Sequence, residues 1–94
     1  KDGNTALHLA TKAGNTSMVY FLLARNASPN SENNNGNTPL HIAAMLDRPD
    51  IIKAFLDRNA TLTIRDKNGH SAFDYALAHD HYTILPLLTG KDYD

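Results

Sequence analysis

The sequence predicts an all-α fold, a solenoid of three helix-turn-helix units joined by hairpin-like loops, and three observations carry that reading. Gly3, Gly36 and Gly69 are spaced 33 residues apart. Each is followed by a matching string: Asn4-Thr5-Ala6-Leu7-His8-Leu9-Ala10, Asn37-Thr38-Pro39-Leu40-His41-Ile42-Ala43 and His70-Ser71-Ala72-Phe73-Asp74-Tyr75-Ala76. The register then persists downstream, where Met18-Val19, Ile51-Ile52 and Ile84-Leu85 align, as do Leu22-Leu23, Phe55-Leu56 and Leu88-Thr89. Such a fixed period marks stacked units, each burying the apolar face of its neighbour. The repeats run over about 2–35, 36–68 and 69–94, and 1–94 reads as a single domain.

Each unit can be justified in order. Thr5, Thr38 and Ser71 stand where a first helix begins, with hydroxyls able to accept from the free N–H groups of its first turn. Pro39 occupies the first helical position, where its missing N–H costs nothing. Ser71-Ala72-Phe73-Asp74 has the form of a capping box with Asp in place of Glu. First helices are therefore expected over about 5–13, 38–46 and 71–79. A second helix follows, because Met18, Val19, Leu22 and Leu23 fall on one helical face, as do Ile51, Ile52, Phe55 and Leu56. Pro49 marks its start in the second unit, and Asn26 and Asn59 lie where a left-handed residue would end it. Asn35-Gly36 and Asn68-Gly69 are dipeptides that tolerate positive φ in a tight turn. In the third unit Pro86 falls inside the expected second helix, which should start late, kink or be short.

Composition narrows the function. An apolar fraction of 41% and a charged fraction of 20% fit an ordinary folded domain. A formal charge of -1 supplies no basic field for a phosphate backbone, so no nucleic-acid partner is expected. The absence of cysteine removes disulfides, thiolate metal sites and a cysteine nucleophile, and fits a reducing, intracellular compartment, cytoplasmic or nuclear. No apolar run approaches the roughly 18 residues that span a bilayer, and membrane insertion is not expected. The opening Lys1-Asp2-Gly3-Asn4, a turn sequence without Met, leads to the expectation of a segment from a longer chain.

Thr38-Pro39-Leu40-His41-Ile42-Ala43-Ala44 resembles the T-P-L-H-x-A-A signature of ankyrin repeats, and Thr5-Ala6-Leu7-His8-Leu9-Ala10 is the same motif with one change. Asp66-Lys67-Asn68-Gly69 is similar to the family's D-x-x-G turn, and residues 22–30 to its L-L-x-x-G-A-D-V-N ending, with Asn26 for Gly and Ser28-Pro29 for Asp-Val. The third copy departs, with Asp74 for His and Pro86 in its second helix, and resembles a C-terminal capping repeat. The resemblance implies that His8 and His41 bridge the capping Thr to a backbone carbonyl of the next repeat. It also implies a concave groove, built from loop tips and first helices, that grips a partner protein. Carried onto this chain, the groove positions are Lys1, Asp2, Asn4, Asn34, Asn35, Asn37, Lys67, Asn68 and His70 at the tips. On the first helices they are Lys12, Ala13, Met45, Leu46, Ala78 and His79.

Met45 and Leu46 would centre an apolar patch rimmed by Asn and Lys, unless Met45 packs under the next helix. Tyr20 and Tyr82 are weaker anchors that belong as well to the outer face. His79-Asp80-His81 has metal-ligand residue types, but residues two apart on a helix point away from each other, and a solvated loop explains the run. No catalytic set recurs, so the expectation is a monomeric, non-catalytic module with no cofactor and no small-molecule substrate. The alternative is a spacer or intramolecular regulator of a larger protein. A hydrolase using His79 or His81 is the remote third reading.

Overall fold

The computed structural model describes residues 2–89. Its elements are α1 (Ala6–Ala13), α2 (Thr16–Ala24), α3 (Pro39–Met45), α4 (Pro49–Asp57), α5 (Ala72–Ala78), a 3-10 turn (Tyr82–Ile84) and α6 (Leu85–Thr89). No strand occurs among the described residues. The first helices pack in a row, α1 on α3 and α3 on α5, and each carries its own second helix behind it.

The caps explain the helix starts. The hydroxyls of Thr5, Thr38 and Ser71 accept from the N–H of His8, His41 and Asp74, and each of those side chains accepts in return from the cap residue's N–H. Histidine therefore performs in two units what Asp74 performs in the third, closing a reciprocal box that satisfies two orphan donors. Pro49 takes the first position of α4, and Pro86 lies in the first turn of α6, where a missing N–H is tolerated. The third unit's second helix accordingly starts late, after a 3-10 turn, and runs over Leu85–Thr89 among the described residues.

The helix ends share one geometry. Asn26 and Asn59 take φ of 70° and 62° after α2 and α4. The N–H of Asn26 donates to the Leu23 carbonyl and that of Ala27 to the Leu22 carbonyl, a Schellman closure. The first helices end in the same way at Gly14, Asp47 and Asp80, with φ of 70°, 56° and 61°. Between repeats the expectation needs correction: at Asn35-Gly36 and Asn68-Gly69 the glycines alone take positive φ, 77° and 82°. The asparagines do not take positive φ, and the side chains of Asn33 and Asp66 accept from the N–H groups of the two turns.

The core is one continuous layer shared by the units. Leu7, Val19, Leu40, Ile51, Ile52, Phe55 and Ile84 are almost completely buried, and each such side chain contributes roughly 1.5–3 kcal/mol. Ala43, Ala44 and Ala76 are closed to solvent where first helices meet, and their small size permits that approach.

Candidate functional site

The loop tips of the second and third units are each built around one acidic or amide side chain. Asn33 Oδ1 accepts from the N–H groups of Asn35 and Asn37, at 2.9 and 3.0 Å. Thirty-three residues on, Asp66 Oδ1 accepts from those of Asn68 and His70, both at 3.0 Å. The tips are tied to one another in turn. The N–H of Asn34 donates to the Asp2 carbonyl at 2.8 Å, and that of Lys67 to the Asn35 carbonyl at 3.0 Å. Side chains repeat the pattern, Asn33 Nδ2 donating to Asn4 Oδ1 and Asn37 Nδ2 to Asp66 Oδ2, each at 2.9 Å.

Asp66 also accepts from the Tyr75 hydroxyl. Burial pushes its carboxyl up, but the hydrogen bonds from Tyr75, His70, Asn37 and Asn68 outweigh it and hold the pKa at about 2. Burial raises the Tyr75 hydroxyl, and its bond to the Asp66 carboxylate adds to that. The Tyr75 ring stands edge-on to both His41 and His70, with centroids 5.8 and 5.3 Å away. Asp74 is lowered, first by the Ser71 N–H and further by Arg65, whose Nη1 lies 3.6 Å from Oδ2.

Above this frame, the tips of the first two units and the helices α1 and α3 enclose an open groove of about 360 Å³. Ile42, Met45 and Leu46 supply its apolar wall, and Asp2, Asn4, Lys12, Asn33, Asn35 and Asn37 its polar one. Of the expected positions, Asp2, Asn4, Lys12, Asn35, Asn37, Met45 and Leu46 meet there. Met45 is half-buried and Leu46 exposed. Ala13, Asn34, Lys67, Asn68, His70, Ala78 and His79 are exposed but lie outside this groove. Lys1 and residues 90–94, which the capping-repeat reading included, fall outside the described residues.

One expected position needs correcting. Asn37 is only 9% exposed, and its amide is engaged by Asp66, so it serves the junction between repeats before it serves a surface. Two residues were missed. Ile42 is the free position of T-P-L-H-x-A-A, so the signature itself marked it. Asn33 could have been found from its 33-residue offset to Asp66.

The histidines are structural in placement. The N–H of Thr5 donates to His8 Nδ1 at 3.0 Å, so the ring's proton is on Nε2, which donates to the Asn37 carbonyl at 2.8 Å. His41 repeats the arrangement from Thr38 to the His70 carbonyl, at 3.0 and 2.9 Å. The reading of His79 and His81 as diverging residues of a solvated loop needs correction. The left-handed Asp80 between them brings the rings into a stack with centroids 5.6 Å apart. His81 is half-buried, its Nδ1 2.9 Å from the Ala44 carbonyl. No group of three or more metal-ligating side chains forms among the described residues.

Stacked helix pairs on a 33-residue period, with capping imidazoles that cross to the next unit, define a helical repeat solenoid. The family model for ankyrin repeats matches residues 7–94 in three copies, and the chain belongs to the ankyrin-repeat family. Ankyrin repeats are generally protein–protein interaction modules and typically non-catalytic. No curated protein gives a significant match. Among the described residues, no helix is long and apolar enough to cross a membrane.

Proposed function

We propose that this domain is an intracellular, non-catalytic binding module that holds a partner protein in the groove between the loop tips and α1 and α3. The observation that supports this is the grouping of Ile42, Met45 and Leu46 on one wall, facing amide side chains already held in place by the junction network. Apolar anchors within a polar rim suit a protein segment that buries side chains on one edge and pairs its backbone amides on the other. The rim carries Asp2 and Lys12 together, so its charge favours neither strongly basic nor strongly acidic segments.

The test is substitution of Met45 and Leu46 by glutamate, with affinity for a captured partner read by calorimetry and folding by circular dichroism. Affinity should fall at least tenfold at unchanged helicity. Equal affinity would reject the groove. A spacer, the alternative role, would capture no partner in trans.

A further inference from the structure

The histidines fall into two groups. His8 and His41 have both ring nitrogens engaged within the fold, by the Thr5 or Thr38 N–H on one side and a carbonyl of the next unit on the other. His79 and His81 do not. The left-handed Asp80 turns the chain at the end of α5 so that their rings face each other, with centroids 5.6 Å apart and planes 23° from parallel. His81 Nδ1 lies 2.9 Å from the Ala44 carbonyl. A carbonyl oxygen only accepts, so Nδ1 carries the proton and Nε2 keeps its lone pair. His79 is exposed, and its ring makes no hydrogen bond among the described residues.

We propose that His79 and His81 form a two-imidazole site for a borderline divalent cation of the zinc class. Three observations carry it. A tetrahedral ion about 2.0–2.1 Å from one nitrogen of each ring holds the two centroids roughly 5 Å apart. The observed 5.6 Å is close to that, so rotation of the unrestrained His79 ring suffices to bring its nitrogen to the ion without moving the backbone. Second, a bond from Nδ1–H to a backbone carbonyl is the arrangement that orients metal-ligating imidazoles and raises their basicity. Third, the equivalent residues of the second unit, Leu46 and Arg48, are exposed although a unit packs on each side of them. Access to His79 and His81 is therefore a property of the position, independent of what lies beyond the third unit.

Two neutral imidazoles without a thiolate favour zinc, copper(II) or nickel(II) over magnesium and calcium, which take oxygen ligands. Asp80 adds a carboxylate one residue from each ring. Water fills the remaining positions, which leaves the ion exchangeable. Because His81 is tied to α3 through Ala44, the bound ion joins the end of α5 to the 3-10 turn and both to the second unit.

Zinc chloride alone is the probe, titrated into the 94-residue chain at neutral pH with the histidine ring signals followed by NMR. The signals of His79 and His81 should shift together along one saturable curve while those of His8 and His41 stay. His79→Ala removes a ring that makes no hydrogen bond, so it should leave the urea midpoint without zinc nearly unchanged, yet weaken zinc affinity at least about tenfold. Zinc should raise the midpoint of the parent chain and not that of His79→Ala. Magnesium should do neither. Equal zinc affinity in His79→Ala would overturn the proposal, as would movement of only one of the two rings, an equal response to magnesium, or no shift at millimolar zinc.

Discussion

The Nε2 of His8 donates to the backbone carbonyl of Asn37, 2.8 Å away and one repeat along the chain. The same ring caps its own helix through Thr5, so one side chain joins a local start signal to a contact 29 residues distant. Secondary structure and stacking are coupled at that residue.

His8→Ala should therefore cost more than an ordinary cap deletion. Removal leaves the Asn37 carbonyl and the Thr5 N–H without their partner and opens a cavity beside Leu7, for a loss of about 3 kcal/mol. Asp74→Ala in the third unit deletes a cap whose link to the preceding unit is an exposed ion pair with Arg65, and should cost about 1 kcal/mol. Urea denaturation of the two variants checks the order.

Acid should weaken the second junction. The Asp66 carboxyl, ordinarily at 3.8, is held at about 2 in the fold, so its contribution is fully present above pH 4 and is lost as pH falls through about 2. The contribution is about 2 kcal/mol. Asp66→Asn places there the residue that already forms the equivalent turn at Asn33. Thermal midpoints measured from pH 5 to 2 should drop less steeply for the variant.

Glycine replacement should distinguish the two turns. At Gly36, φ is 77° and an added Cβ would lie 3.0 Å from the Lys67 backbone nitrogen and 3.1 Å from the Asp66 Cα. At Gly69, φ is 82° with nothing within 4 Å. Gly69→Ala carries only the backbone cost of about 1 kcal/mol, whereas Gly36→Ala should exceed it by a further kcal/mol or so. Equal losses would contradict the close packing of the second tip under the third.

Asp47 and Asp80 occupy the left-handed position that Gly14 fills in the first unit. Asp47→Gly should raise stability by up to about 1 kcal/mol, because the left-handed penalty of a Cβ exceeds the added chain entropy of glycine. Chemical denaturation reads the gain directly.

The sequence by itself determined the period, the helix starts and the ends at Asn26 and Asn59, because capping and left-handed turns depend on residues within a few positions of each other. It also determined the late start of the third unit's second helix, since Pro86 acts on its own backbone. Tertiary structure alone decided which exposed positions converge. Asn37 and His70 occupy the same place in the repeat, yet Asn37 is buried against Asp66 while His70 lies open beside Tyr75. Met45 and Ala78 are likewise equivalent, and of the two only Met45 borders the groove, because the facing wall comes from the tips of the first two repeats. The physical reason is distance along the chain: a periodic sequence states what each unit is, and stacking determines what each unit touches.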